Sequence, residues 1–488
     1  MDLSQRKLTK REWEFLEIPV NEKEMEILRM IFNSKNDLNI YFNKSKTILS
    51  YMKIANSVEF HNYFYELYFK KMINTLKNLY NLKWEKKNRG KIMKVKKADE
   101  IRIKNSSKRL KKEDIYEWIL IKNITNYLKT KKIYYYYTLT QLLKNNIKNI
   151  NVHILDFTNY ILNTYKKKVS MKDLIKNSYD CIERNEIILD YVDYRLYDHQ
   201  KHLLELINKK SPCLIDYQAP TGTGKTMSPL GIKKKVIFVC AAKHIGLQLA
   251  KSAISLEIPI AIAFGCKDPS DIRLHYFAAK SIIRNRRSGG IYRVDNSVGD
   301  KVEIIISDIQ SYLPSMNYML AFNKASDVVL YWDEPTITLD YENHEFHEIL
   351  KKNWKENMIP NVILSSATLP NQEDIMPMIM GFKRKFKTDE IHEVISYECK
   401  KTIPLIDSNG YSVMPHYIFE TKKELKKSIK HIEKNKTILR HIDVNEIIKF
   451  IMYVNEKNIV KENYLIENYF EDINEINIIN LKLYYLKL

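Results

Sequence analysis

The sequence predicts an α/β protein built on a doubly wound parallel sheet, with a helical, lysine-rich region before the sheet and a small mixed region after it. Three observations carry that expectation. Short, nearly continuous apolar runs recur between positions 213 and 366. Helical spacers separate them. The flanking stretches are almost free of glycine: Gly90 is the only one in residues 1–185, and Gly410 the only one after residue 386. At 488 residues the chain is too long for one core, since single cores stop growing at about 250–300 residues. The expected domains are therefore residues 1–185, 186–385 and 386–488.

Residues 1–185 carry Leu, Ile, Tyr and Lys at mixed three- and four-residue spacing, which reads as helical. From Lys70 to Lys112 there are 17 Lys or Arg against three acids. Such a run reads either as a solvated face or as a nucleic-acid contact in which Trp84 and nearby tyrosines stack on bases while lysines meet phosphates. KIYYYYTLTQLL (Lys132–Leu143) reads as a buried strand or helix start. Beyond residue 186, the runs CLIDY (213–217), KVIFVCA (235–241), IPIAIAF (258–264), KVEIIIS (301–307), DVVLYWDE (327–334) and NVILSS (361–366) are continuous rather than alternating. Strands covered on both faces look like this, and function is expected at their carboxyl ends. The last stretch, ending NIINLKLYYLKL, suggests no particular fold.

Lys and Arg number 80 against 59 Asp and Glu, a net charge of +21. That excess points to an anionic partner, nucleic acid first and an acidic membrane surface second. Coding bias is the competing source, because the chain is rich in Lys, Asn, Ile and Tyr and poor in Gly. The five cysteines lie far apart without a CxxC pair, which argues against a disulfide framework or a zinc site. The opening MDLSQRKLTKREWEF has no apolar signal core, and no apolar run approaches the ~18–20 residues of a membrane span. A soluble, intracellular protein without membrane contact is the expectation. In HEFHE, His344 and His347 are spaced i, i+3 rather than as HExxH, and read as an exposed helix face.

In APTGTGKT, from Ala219 and Pro220 through Thr221, Gly222, Thr223 and Gly224 to Lys225 and Thr226, an apolar strand leads into a glycine loop. Its backbone N–H groups are expected to point at phosphate oxygens at a helix N-terminus. Lys225 is placed to neutralise β- and γ-phosphates and the Thr226 hydroxyl to hold Mg²⁺, so ATP and Mg²⁺ are the expected cofactors. VVLYWDEPT delivers Asp333 and Glu334 to a strand's carboxyl end. Asp333 suits the magnesium shell, and Glu334 suits orienting and deprotonating an attacking water. NVILSSATLP ends another strand in Ser366, Ala367 and Thr368, which alone would be only a turn.

In this order the segments resemble those of superfamily 2 (DExD/H-box) helicases: APTGTGKT resembles motif I, DEPT motif II and SAT motif III. The resemblance covers about residues 195–370. It implies a RecA-like lobe and ATP-dependent action on RNA or DNA. AAKHIGLQ (241–248) falls where the family grips the nucleic-acid backbone, with Lys243 in the basic slot and Gln248 in the glutamine slot, although Ala241 and Ala242 depart from the usual Pro-Thr. RLYDHQK (195–201) resembles the adenine-reading segment and gives Gln200 that role. By the same resemblance Ser366, Ala367 and Thr368 couple the nucleotide state to movement between two lobes. The surrounding texture also resembles helicase-like proteins of large DNA viruses. DEPTITLD (333–340) is similar to the acidic motif of ABC transporter ATPases too. Those need a Leu-Ser-Gly-Gly-Gln segment shortly before that strand, and SMNYMLAFNKASD (315–327) stands there without a glycine.

A helicase of that superfamily closes two lobes over ATP, and the second lobe supplies arginines from a Gln-x-x-Gly-Arg-x-Gly-Arg segment. Between Phe386 and Leu488 the only arginine is Arg440, with no glycine beside it. Three explanations stand open: a truncated product, one half of a split helicase completed by a second chain, or an NTPase with a lost or altered motor. The first two are favoured, and they make residues 386–488 a partial second RecA-like lobe. From a different class comes a basic nucleic-acid-binding or scaffold protein with a vestigial ATPase site. Intact Lys225, Thr226, Asp333 and Glu334 argue against it.

Overall fold

The computed structural model describes residues 5–39, 46–87, 97–144, 147–191, 195–208, 212–284, 291–338, 341–370, 372–398 and 401–488. The chain divides into two compact units, Met1–Phe42 with Arg195–Glu398, and Asn43–Tyr194 with Cys399–Leu488. Neither unit is one of the three consecutive stretches expected from the sequence. The N-terminal residues join the sheet, and the C-terminal residues join the helices.

The first unit holds strands β1 (Cys213–Gln218), β2 (Lys235–Cys240), β3 (Ile260–Ala263), β4 (Arg273–Leu274), β5 (Ile282–Arg284), β6 (Ile291–Val294), β7 (Ile304–Asp308), β8 (Val328–Asp333), β9 (Asn361–Ser366) and β10 (Ile391–Ile395). Eight of them form one sheet in the order β10-β1-β9-β8-β2-β7-β3-β4, and β5 and β6 pair separately. Every pairing in the large sheet is parallel except β3 with β4. All six apolar runs are strands of this sheet.

Their continuous apolar character follows from cover on both faces. On one face Ile215, Phe238, Ile306, Val329 and Ile363 pack with Leu203, Leu249 and Ala253. On the other Leu214, Ile237, Ile305, Leu330 and Val362 pack with Tyr312, Met316 and Phe382. The result is a doubly wound α/β domain, consistent with the RecA-like class the resemblance implies. Leu16, Leu28 and Ile31 belong to the first of these cores. They come from the helices Lys10–Leu16 and Glu22–Asn33, capped by Thr9 and Asn21. Strand β10 lies beyond the expected boundary at 385 and closes one edge of the sheet beside β1.

In the second unit the helices Tyr116–Thr130, Ile133–Lys144 and Val152–Tyr165 surround a core that includes Phe64, Phe69, Ile121, Leu139 and Phe157. KIYYYYTLTQLL is thus helical, with Tyr136, Tyr137, Leu139 and Leu142 buried. Trp84 is 6% exposed and sits edge-on to Phe157 at 5.1 Å. It is core, and the expected stacking role is withdrawn. Residues 88–96 of the basic run, and Gly90 with them, lie outside the described residues.

The C-terminal helices Lys422–Lys434, Val444–Glu456 and Ile478–Lys487 bring Ile447, Ile451, Leu481 and Tyr484 into one core with Leu174, Ile175 and Cys181. Among the described residues from 401 onward the only β pairing is the isolated bridge between Ile406 and Ser412. A partial second RecA-like lobe is therefore not what this stretch forms. Its apolar residues follow helical spacing and bury against other helices.

Candidate functional site

Parallel register brings the three sequence segments together. Gln218 at the end of β1 is level with Ser366 at the end of β9, and Ser365 is level with Asp333 at the end of β8. The Ala219 N–H donates to the Ser366 carbonyl at 3.3 Å, and Gln218 Nε2 to the Ala367 carbonyl at 3.3 Å. The glycine loop, the acidic pair and the Ser-Ala-Thr turn thus form one row along the carboxyl edge.

Within the loop, Gly222 and Gly224 have φ of 80° and 78°, a region that side chains with a Cβ rarely enter. A Cβ on Gly224 would also stand 2.8 Å from Gln200 Nε2. Thr223 Oγ1 donates to the Pro220 carbonyl at 2.6 Å. Lys225 is 6% exposed, and its Nζ donates to the Ala219 carbonyl at 2.6 Å. Beyond it the expected α-helix is replaced by a 3₁₀ helix, Lys225–Gly231, that contains Pro229. Proline has no N–H to extend an α-helical ladder. Gly231 is pressed so close to Ser34 Oγ and the Ile31 carbonyl that a Cβ there would lie 2.8 and 3.1 Å from them. The loop keeps its N–H groups but has no α-helical dipole behind it.

Asp333 is 3% exposed and accepts from Ser365 Oγ at 3.3 Å. Burial, reinforced by Glu334, pushes its pKa up to about 7, against the opposing charge of Lys225 and the Ser365 hydrogen bond. Glu334 holds φ at 50°, the left-handed region that costs a residue with a Cβ about 1–2 kcal/mol. Its N–H donates to the Ser365 carbonyl at 2.7 Å, and its Oε2 accepts from Ser366 Oγ at 2.5 Å. Ser366 Oγ in turn accepts from the Thr368 N–H at 3.2 Å. Serine 366 therefore ties the acidic pair to the turn. The Tyr331 hydroxyl donates to the Lys225 carbonyl at 2.7 Å and stands 3.1 Å from Ser365 Oγ.

Tyr331 and Ser365 are site residues that sequence reasoning missed. Both lie inside motifs it quoted, and only their inward-facing register marks them. A third is His199, which is 2.7 Å from the Tyr217 hydroxyl through Nδ1. Burial, then the charge of Lys225, pushes its pKa down to about 4.

Three expected assignments fare differently. Gln200 is 3% exposed; its Oε1 accepts from the Tyr197 N–H at 3.1 Å and its Nε2 donates to the Gly224 carbonyl at 3.2 Å. It buttresses the loop, and both ends of its amide are engaged within the protein. Lys243 is 3% exposed, with its Nζ 3.0 Å from Glu12 Oε1 and 3.1 Å from Oε2. Gln248 Nε2 donates to Glu24 Oε1 at 3.3 Å. The N-terminal helices thus occupy both supposed nucleic-acid contacts, because their apolar stripe, Leu16, Leu28 and Ile31, buries in the core beneath.

Of the two histidines in HEFHE, His344 accepts the Phe346 N–H at the start of the helix Glu345–Glu356, and His347 Nε2 is 2.9 Å from the Thr338 carbonyl. Among the described residues no helix is long and apolar enough to cross a membrane.

Fold and grouping together define a doubly wound α/β protein with a candidate phosphate-binding edge. No family model matches the sequence, and no curated protein does. Among solved structures, the helicase domain of Hef from Pyrococcus furiosus matches at 14% identity and a TM-score of 0.26, over 62% of this chain and 69% of that one. A likeness that slight carries no argument about function, and the fold rests on the strand order above.

Proposed function

We propose that the chain binds Mg-ATP at the carboxyl edge of β1, β9 and β8 and is a superfamily 2 helicase-like NTPase acting on RNA or DNA. The observation that carries the reading is the convergence of Lys225, Asp333, Glu334 and Ser366 from three motifs on one edge. In this reading phosphate oxygens replace the Ala219 carbonyl as the partner of Lys225, and the N–H groups around Gly222 and Gly224 cradle the phosphates. A buried carboxylate pushed up to about 7 beside a second carboxylate suits a divalent cation, whose charge relieves both burial and repulsion. Asp333 and Thr226 would hold it. The metal supplies charge neutralisation at the phosphates. Glu334 orients and deprotonates the attacking water, and Ser366 links that carboxylate to the turn through Thr368.

Residues 386–488 hold no Gly-Arg-x-Gly-Arg segment, and in this reading a second chain supplies the arginines that face the phosphates. The viral character of this chain rests on the sequence texture alone. One observation favours the rival reading, a basic nucleic-acid-binding or scaffold protein with a vestigial site: Pro229 and the 3₁₀ helix stand where a phosphate-binding α-helix would start.

Calorimetry of ATP binding with and without Mg²⁺ separates the two. Magnesium-dependent binding that Lys225→Ala abolishes in a folded protein is the expected result, with Glu334→Gln retaining binding. Equal affinity in Lys225→Ala would leave the vestigial reading standing.

A further inference from the structure

Lys243 and Trp84 are buried and Gln248 is engaged by Glu24, which points to a nucleic-acid contact elsewhere on the chain. We propose that the helical unit binds single-stranded nucleic acid in a cleft of about 570 Å³ between the start of the helix Ile133–Lys144 and residues 166–170. Its mouth carries Lys131, Lys132, Lys168 and Arg184, against Asp173 and Asp180. All four cations are exposed. Ion pairs in this unit lie elsewhere, as in Glu66 with Lys70 and Lys86, or Lys172 with Glu456. None of the four cations joins one among the described residues.

Tyrosine rings are interleaved with those charges. Lys131 Nζ lies 4.4 Å from the Tyr165 ring centre and 5.5 Å from that of Tyr127, and Lys168 Nζ lies 5.4 Å from Tyr165. Arg184 lies over Tyr179 at 4.8 Å, and Tyr135 stands edge-on to Tyr134 at 5.2 Å, half-buried in the cleft wall. Lys131 ends the helix Tyr116–Thr130 with a left-handed backbone, φ 56°.

Cations beside ring faces are what a single strand uses: phosphates meet ammonium groups while bases stack on tyrosine or guanidinium planes. An acidic peptide would use only the charges. Paired bases in a duplex could not stack on Tyr134 and Tyr135, which are half-buried in the cleft wall. The volume falls within the ~300–1,000 Å³ that takes a small ligand, enough for a short stretch of strand. This inference rests on the reading that the chain acts on nucleic acid. It does not depend on the nucleotide site, whose residues lie in the other unit.

The test is fluorescence anisotropy of the full chain with a labelled oligothymidylate of about 20 nucleotides, longer than the ~4–16 a compact site covers. The combined variant Lys132→Glu, Lys168→Glu, Arg184→Glu is compared with Lys71→Glu, Lys104→Glu, Lys108→Glu, three equally exposed lysines of the Lys70–Lys112 run. Circular dichroism verifies both folds. The cleft variant should bind at least about tenfold more weakly, with the slope of log affinity against log salt reduced by about two. The control should change little, and Tyr135→Leu should lose severalfold with its salt slope intact. Equal loss in both triple variants, or competition by polyglutamate as effective as by the oligonucleotide, overturns the cleft. Mg-ATP binding measured on the same proteins separates the failures. A wild-type chain that binds ATP but no oligonucleotide ends the nucleic-acid reading and this site together, whereas oligonucleotide binding untouched by the cleft variant ends this site alone.

Discussion

Among the described residues, Asp333 and Glu117 are the carboxyls pushed up to about 7, mainly by burial. Asp333 also has a carboxylate neighbour, Glu334, and lies at the carboxyl end of β8. Glu117 is fully buried, and its oxygens accept the N–H groups of Asn151 at 3.0 Å and Ile48 at 3.1 Å. It pins the starts of the helices Ile48–Met52 and Val152–Tyr165. The burial effect outweighs those hydrogen bonds, so folded Glu117 keeps its proton up to about pH 7, whereas the unfolded chain releases it near the ordinary 4.5. The folded state binds the extra proton, so this group's contribution falls as pH rises from 4.5 to 7. The full loss is roughly 3 kcal/mol. Glu117→Gln has no such titration and pays instead a constant cost for one lost N–H acceptor. Urea denaturation at about pH 5 and pH 8 should therefore show a stability gap between wild type and variant that narrows as pH rises. A gap that widens with pH would mean that Glu117 is charged in the folded protein.

At the scale of elements, the N-terminal helices are fixed by an uneven pair. The side chains of Lys243 and Glu12 are 4% and 21% exposed. Burial alone would push Glu12 up, but the Thr9 N–H and the Lys243 ammonium hold it below the ordinary value. Glu12→Ala strands a buried ammonium and should cost about 2 kcal/mol, whereas Lys243→Met leaves a carboxylate that water reaches and should cost under about 1 kcal/mol. Chemical denaturation of the two variants checks the order, and the reverse order would show that the pair is not what anchors the helices. This anchoring was not legible in the sequence. A helix announces its apolar stripe, as Leu16, Leu28 and Ile31 do, but not which core receives it. The six buried strands were legible because cover on both faces demands unbroken apolar runs. Strand β10 was not, since at the sheet edge only Val394 is buried and the run IHEVI alternates. Lys225, Asp333, Glu334 and Ser366 were readable from motif chemistry. The structural duty of Gln200, set by its 3.2 Å hydrogen bond to the Gly224 carbonyl, depends on packing that no motif records.

For the molecule as a whole, the decisive feature is what faces a transferred phosphoryl group. In the proposed site Lys225 and a magnesium ion neutralise it from one side. A second lobe would bring arginines to the other, yet residues 401–488 fold as helices within the helical unit, and Arg440 lies among them. An arginine finger is worth ~10³–10⁵ in rate, so its loss raises the barrier by at least about 4 kcal/mol. The isolated chain should then hydrolyse ATP slowly, with Glu334→Gln slower still. Nucleic acid should stimulate hydrolysis little, because stimulation works by closing a lobe over the nucleotide. Single strands should still bind, because the charged cleft of the helical unit needs no lobe closure. Steady-state hydrolysis and strand displacement on tailed RNA and DNA duplexes test these expectations. Slow hydrolysis without displacement is the expected outcome, and a partner chain that supplies the missing arginines should raise both. Robust ATP-dependent displacement by the wild-type chain alone, abolished in Glu334→Gln, would mean that a phosphoryl-contacting cation is already present within these 488 residues.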